Sequence, residues 1–294
     1  MPTREVLTPA QRADFLIIPD DIPAREIERN YTFAHEELKR IREKRRPHNR
    51  LGFVVQWAYL RFPGRSWESE ELPPEPVLIH IAEQVGVAPT ELSSYAKGRD
   101  TTRREHLREA IEAGGFQSYD GNSQRELIAW LLPTALSTDS GIKLVEALVR
   151  EMQSRRIVLP ALSTLERLAW EVRHKAQNQV IHALTKDLTS EQKARLDALL
   201  HIEGNAEQPQ IPLTWVRQVT GRTAPVTILR FLERITFLRS IGLPTELGRI
   251  IHQNRLLSLS REGGDARNEL WSYRPGQRLV YPRRDLLTRP GRTG

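Results

Sequence analysis

The segment Lys39–Arg65 reads KRIREKRRPHNRLGFVVQWAYLRFPGR and holds nine lysine and arginine side chains against one acidic residue, Glu43. The block Leu51–Leu60 inside it is nearly free of charge, so a basic cluster adjoins an apolar stretch of the kind that becomes buried. Basic side chains attached to a rigid, buried element suit a phosphate backbone that must be held in one register. A solvated, highly charged helix end has the same composition, and this stretch alone leaves both interpretations open.

Composition describes a soluble globular protein of 294 residues, 39% hydrophobic and 28% charged, with a net charge of +7. This length allows one large or two ordinary domains. The absence of cysteine excludes disulfides, thiolate zinc sites and cysteine nucleophiles. The opening MPTREVLTPAQ lacks the apolar core of a signal peptide, and no run approaches the roughly 20 apolar residues of a membrane span. We therefore expect a cytoplasmic protein.

Helix signals dominate and predict an all-α fold. Thr8-Pro9 is typical of a helix start, and Pro63-Gly64 is typical of a helix end. The spacing of apolar residues predicts helices over Pro23–Asn30, Ala34–Lys44, Arg50–Phe62, Thr101–Ala113, Ser163–Leu184, Ser190–His201, Pro225–Ser240 and Thr245–Ser260. Gly114-Gly115 indicates a boundary. We expect two helical DNA-binding subdomains, 1–115 and 116–262, followed by an irregular basic tail, 263–294. Core positions are expected for Trp57, Trp130 and Trp170.

A helix-turn-helix-like unit is predicted at 77–99. Ala82 is small where two helices would cross closely, and Gly86 falls where the turn requires a positive φ. In the second helix, the residues expected to face the domain are Leu92, Tyr95 and Ala96. Those expected to face a DNA groove are Thr90, Ser93, Ser94 and Lys97, and those expected near the flanking phosphates are Arg99, Arg103 and Arg104. An ordinary helical hairpin permits the same spacing.

Six blocks in this order resemble the N-terminal region of Tn-three-family transposases, the replicative transposases of class II bacterial transposons. They are LTPAQRADFLIIPDD (7–21), YTFAHEELKRIREKRRPHNRLGFVVQWAYLRFPGR (31–65), HIAEQVGVAPTELSSYAKGRDTTRREHLREA (80–110), RRIVLPALSTLERLAWEVR (155–173), LTSEQKARLDALL (188–200) and FLERITFLRSIGLP (231–244). The resemblance implies a helical region that binds the terminal inverted repeats of a transposon in bacterial cells.

The chain departs from that family near its C-terminus. The family's strand-transfer chemistry uses three metal-binding carboxylates in a later domain, and no position here matches them. Asp20-Asp21 fits helix capping better than metal binding because prolines flank it. The resemblance fades after Glu262, and Arg261–Gly294 carries eight arginines and no lysine. Out-of-frame translation of GC-rich DNA and a natural disordered basic arm both explain this tail.

We therefore expect the non-catalytic DNA-binding part of a transposase, with no cofactor and no metal site, nucleoid-associated when bound to DNA. Its partners would be double-stranded DNA at transposon ends and a full-length transposase. The residues expected to contact phosphates also include Arg45, Arg46 and Arg50. Three alternatives stay open: a helix-turn-helix transcriptional regulator, an interaction fragment that inhibits an intact transposase, and a decayed gene product without a role.

Overall fold

The computed structural model describes residues 6–199, 215–216, 225–244, 246–257 and 259, and this part of the chain is helical, as predicted. The helices are α1 Pro9–Asp14, α2 Ala24–Tyr31, α3 His35–Arg42, α4 Pro47–Arg61, α5 Glu75–Val85, α6 Glu91–Ala96, α7 Asp100–Ala113, α8 Gly121–Ser137, α9 Gly141–Ser154, α10 Leu162–Thr185, α11 Ser190–Ala198, α12 Pro225–Ser240 and α13 Leu247–Ile250. Within the described ranges, β pairing is limited to two isolated parallel bridges, Arg65 to Leu159 and Gln117 to Ile157.

The described residues divide into two compact units. One comprises residues 6–131 and 140–172, and the other comprises residues 132–139 and the described residues after 172. Helices α8 and α10 each contribute residues to both units. The domain bounds expected at 115 and 262 remain a prediction.

Helix α4 forms the centre of the first unit. Every residue from Leu51 to Leu60 is buried, including Gln56, and α4 packs against α2, α3, α5, α6 and α7. A helix that is apolar all round has to be enclosed by other helices, because any exposed side would leave apolar surface in water. The prediction that Leu51–Leu60 forms a buried strut is therefore confirmed.

The N-terminal segment is attached to the same unit through a buried carboxylate. Thr8 caps α1, as predicted, by accepting a hydrogen bond from the Gln11 backbone N–H at 3.2 Å. Glu166 on α10 accepts from the Leu7 backbone N–H at 3.1 Å and from the Arg12 guanidinium at 2.8 Å. These bonds join α1 to α10 although more than 150 residues separate them. They satisfy a carboxylate that would otherwise be costly to bury.

The C-terminal end of α4 is joined to the segment after α9. Leu159 donates its backbone N–H to the Gly64 carbonyl at 2.8 Å, and Gln153 Nε2 donates to the Pro63 carbonyl at 2.7 Å. Helix α9 therefore ends beside the C-terminal end of α4. Because α4 has 15 residues, about 22 Å separates that end from the N-terminal end.

In the second unit, Asp139 receives two guanidinium groups. Arg173 contacts it through two hydrogen bonds of 2.8 and 3.0 Å, and the buried Arg255 forms a further ion pair with it. Burial alone would raise the pKa of Asp139, but the two arginines lower it below its ordinary value.

Thr189 caps α11, as predicted, by accepting a hydrogen bond from the Gln192 backbone N–H.

Two predictions meet a different outcome, and a third falls on residues that the structure does not describe. Trp130 was expected in the core but is 37% exposed, because the buried stripe of α8 is formed by Leu127, Leu131 and Ala135. The helix expected over Thr245–Ser260 is interrupted: α13 ends at Ile250, and Ile251 is extended with φ −119° and ψ 154°. The tail 263–294 lies outside the described residues.

Candidate nucleic-acid interface

Helix α6 separates its side chains into a buried face and an exposed face. Leu92 and Tyr95 are each 2% exposed and point into the first unit, as predicted. The exposed residues are Thr90, Ser93, Ser94 and Lys97. Ser93 donates its hydroxyl to the Thr90 carbonyl at 2.9 Å. The exposed side therefore presents short hydroxyl groups and one ammonium group to solvent.

Tyr95 attaches α6 to α4. A Cβ atom at Gly52 would lie 2.1 Å from the Tyr95 ring, so only glycine allows this approach of the two helices. The Tyr95 ring stacks against His106 at 5.7 Å and against Trp67 at 5.9 Å between ring centroids. Gln56 Nε2 donates to the Tyr95 hydroxyl at 3.2 Å and to the Arg103 carbonyl at 3.0 Å. The position of α6 is therefore determined by α4 and α7 together.

Burial keeps Tyr95 and His106 uncharged. It raises the pKa of Tyr95 to about 12. Burial, and then the nearby Lys44 ammonium, lower the pKa of His106. The Tyr95 hydroxyl lies 3.1 Å from His106 Nδ1. Since Gln56 already donates to the hydroxyl oxygen, the hydroxyl proton is free to bond to Nδ1 of a neutral imidazole.

Three of the nine cations in Lys39–Arg65 are committed to internal partners. Lys44 Nζ lies 2.5 Å from the Glu109 carboxylate. Arg61 pairs with Glu37 and lies 4.1 Å above the Phe33 ring. Arg65 binds both oxygens of Glu71, at 2.7 and 2.8 Å. These three side chains tie the segment to the fold instead of presenting charge to solvent.

The other cations of the segment differ in their exposure. Five are exposed and have no ion pair with any described residue: Lys39, Arg40, Arg42, Arg45 and Arg46. Arg50 is half-buried and donates weakly to the Lys44 carbonyl at 3.4 Å, and its Nε atom is buried without a hydrogen-bond partner. Of the three predicted phosphate contacts in this segment, Arg45 and Arg46 are therefore exposed and Arg50 is half-buried.

Two contacts place the exposed arginines beside α6. His48 Nδ1 lies 3.9 Å from Glu91 at the start of α6, and Lys44 is bound to Glu109 on α7. The loop that carries Arg45 and Arg46 is thus bound to α7 by Lys44, and it leads into the first turn of α4, which lies next to the start of α6. The structure therefore brings together two groups of residues that lie about 45 positions apart in the sequence.

The arginines after α6 have different surroundings. Arg99 is exposed and has no ion pair with a described residue. Arg103 donates to the Ala96 carbonyl at 2.9 Å and to the Gly98 carbonyl at 2.6 Å, which holds the C-terminal end of α6. Arg104 is largely exposed and pairs with Asp100 at 2.6 Å. The sequence pattern did not reveal the capping contacts of Arg103, since both acceptors are backbone atoms.

The described residues include no group of three histidine, cysteine, aspartate or glutamate side chains that could hold a metal ion. None of the helices described above is both long and apolar enough to cross a membrane.

The described residues define an all-helical fold in which the loop before a central buried helix carries exposed arginines next to a short, hydroxyl-rich helix. The family described as "Domain of unknown function (DUF4158)" matches residues 6–172, and the chain belongs to this family. Relatives of the chain confirm its resemblance to Tn-three-family transposases.

Three transposases illustrate that similarity. The transposase for transposon Tn21 of Escherichia coli is 37% identical over 264 residues, which cover 90% of this chain and 26% of the relative. The transposase for transposon Tn1546 of Enterococcus faecium is 34% identical, covering 93% of this chain and 27% of the relative. The transposase for transposon Tn501 of Pseudomonas aeruginosa is 35% identical, covering 95% and 28%. The chain thus spans about a quarter of the length of these relatives.

Proposed function

We propose that this chain binds double-stranded DNA at the terminal inverted repeats of a transposon, as the DNA-binding part of a transposase. The observation that carries the proposal is the position of Arg45 and Arg46, which are exposed and unpaired on a loop anchored beside α6. Similarity to transposases over about nine-tenths of the chain supports the same conclusion. Strand cleavage and transfer would be the task of parts of those relatives that this chain does not match.

The phosphate contacts would come from cations that have no carboxylate partner in the fold. An arginine that is already paired would have to break that pair before it could bind a phosphate. Arg45, Arg46 and Arg99 avoid this cost, and Arg50 would contribute through the accessible part of its guanidinium. Each such contact releases condensed counterions from DNA, so affinity should fall steeply with salt.

Base contacts would come from α6. Its six residues form a helix that is about 10–12 Å across with its side chains, which fits a major groove about 12 Å wide. Ser94 and Lys97 on the exposed face can donate hydrogen bonds to base edges or phosphates. The preceding Gly86 adopts φ 66° and ψ 43° and ends α5. The pair α5 and α6 would then act as a helix-turn-helix unit, with α6 as the recognition helix.

The proposal is tested by fluorescence anisotropy with two duplexes of equal length. One carries a terminal inverted repeat of a Tn-three-family transposon, and the other carries the same bases in scrambled order. Arg45→Ala and Arg46→Ala should weaken binding to both duplexes, each reducing the slope of log affinity against log salt by about 0.9. Ser94→Ala should cost about 1–3 kcal/mol on the repeat alone. Arg150→Ala is the control, since Arg150 lies on α9 near the opposite end of α4.

Three outcomes would contradict the proposal. The first is equal affinity of the wild-type chain for the repeat and the scrambled duplex. The second is an Arg150→Ala effect as large as that of Arg45→Ala, because affinity would then depend on net charge alone. The third is binding as a dimer to a palindromic site, which would favour a transcriptional regulator over a transposon-end binder.

A further inference from the structure

We infer that one side of α3, formed by His35, Lys39 and Arg42, is a second row of phosphate contacts, beyond the cations already assigned to DNA binding. The inference rests on the proposed function. Its residues are spaced four and three apart along the helix, so they lie on one side of α3. All three are exposed and none has a carboxylate partner among the described residues.

The neighbouring side of α3 has the opposite character. Glu36, Arg40 and Glu43 also follow spacings of four and three, and all three are exposed. This side carries two carboxylates and one guanidinium, and it would repel a phosphate overall. Positive charge on α3 is therefore concentrated on one side of the helix. The composition of the segment alone does not show this.

Contacts with α5 place the basic side of α3 next to the turn before α6. Arg42 donates to the Gln84 carbonyl at 3.4 Å, two residues before Gly86. Gln84 itself accepts from the Phe33 backbone N–H at 2.8 Å and donates to the Tyr31 carbonyl at 2.9 Å. The segment between α2 and α3 is thus bound to α5, and Arg42 on the basic side of α3 reaches the same end of α5, just before the turn that leads into α6.

This placement puts cations near both ends of α6. Arg42 lies near the turn before α6, whereas Arg99 immediately precedes α7, just beyond the C-terminal end of α6. A helix seated in a groove has a phosphate backbone on either side of it. We therefore assign Lys39 and Arg42 to the backbone nearest the α5–α6 turn. Arg45 and Arg46, on the loop that Lys44 joins to α7, would contact a different set of phosphates.

The test compares three single variants that each remove one positive charge from α3: Lys39→Gln, Arg42→Gln and Arg40→Gln. Glutamine retains a helix propensity close to that of lysine and arginine. On the transposon-end duplex, Lys39→Gln and Arg42→Gln should each reduce the slope of log affinity against log salt by about 0.9. Arg40→Gln should leave the slope unchanged, because Arg40 lies between Glu36 and Glu43 on the acidic side. Thermal unfolding of each variant verifies that α3 remains folded.

Phosphate ethylation interference gives a second measurement. The combined Lys39→Gln and Arg42→Gln variant should lose interference at phosphates on one edge of the wild-type pattern. The combined Arg45→Ala and Arg46→Ala variant should lose a different set.

An equal change of slope in all three single variants, or no change in any, would overturn the assignment while leaving the proposed function intact. A wild-type chain that does not prefer the transposon-end duplex would refute the proposed function itself, and the assignment with it. The wild-type measurement therefore separates the two failures.

Discussion

Gly52→Ala should disrupt the attachment of α6 to α4. An added Cβ would lie 2.1, 2.1 and 2.3 Å from the Cδ1, Cγ and Cε1 atoms of Tyr95. Carbon atoms in contact normally lie about 3.5–4.0 Å apart, so the ring would have to move by roughly 1.5 Å. The backbone of α6 would have to follow, because Tyr95 lies in its last turn.

The Tyr95 ring has little room for such a movement. His106 stacks on it with an interplanar angle of 9°, and Trp67 stacks on it with an angle of 28°. Its hydroxyl bonds to Gln56 and His106 at 3.2 and 3.1 Å. Displacement of the ring would therefore disturb two stacking contacts and two buried hydrogen bonds at once.

The size of the effect follows from these contacts. Overpacking of a core costs about 1–3 kcal/mol, and each lost hydrogen bond adds about 0.5–1.5 kcal/mol. The gain from replacing a helical glycine by alanine offsets about 0.5–1 kcal/mol. The free energy of unfolding should therefore fall by about 1–5 kcal/mol. At about 2–4 °C per kcal/mol for a unit of this size, the Tm should fall by roughly 2–20 °C.

Urea unfolding followed by circular dichroism measures this change. Gly121→Ala is the control, because a Cβ there meets no atom within 4 Å, and it should be neutral or stabilising by up to about 1 kcal/mol. In a Tyr95→Ala background, Gly52→Ala should cost much less, since the ring is gone. An equal cost of Gly52→Ala in both backgrounds would refute the clash as the cause.

Two further predictions concern the neighbours of α6. Arg103→Ala should lower the free energy of unfolding by about 1–3 kcal/mol, because two backbone carbonyls lose their donor. Arg99→Ala should change the free energy of unfolding by less than about 0.5 kcal/mol and should weaken DNA binding instead. Similar stabilities for these two variants would contradict the capping role of Arg103. Because the pKa of His106 is lowered in the folded chain, the unfolded chain binds its proton first as pH falls below about 6.5, and stability should decrease there. His106→Asn should flatten this dependence in urea titrations at pH 7.5 and pH 5.5, and an unchanged dependence would exclude His106 as its source.

The helix positions were largely predictable because their signals are local. Thr8 and Thr189 cap helices through residues three positions away, and the apolar run Leu51–Leu60 indicated a buried helix without knowledge of its partners. Prediction failed where burial depended on distant packing. Trp130 resembles other core tryptophans in the sequence, but its place on α8 lies outside the stripe that becomes buried.

The candidate interface was only partly predictable. The exposed face of α6 followed from helical spacing, and Leu92 and Tyr95 are buried as expected. In the sequence, the cations of Lys39–Arg65 form one cluster, within which Arg45, Arg46 and Arg50 are predicted to hold phosphates. Composition does not reveal that Lys44 and Arg61 pair with carboxylates, since the similar side chains differ only in what lies nearby.

The sequence by itself determined an all-helical chain, the buried strut Leu51–Leu60 and the family to which the chain belongs, because helix periodicity, capping and motif order depend on residues close together along the chain. Only the tertiary structure decided which cations remain free to meet a phosphate. Lys44 is paired with a carboxylate 65 residues away, whereas Arg45 beside it is unpaired. Chain folding brings that carboxylate within reach of one side chain and not the other, and two adjacent basic residues therefore have different surroundings.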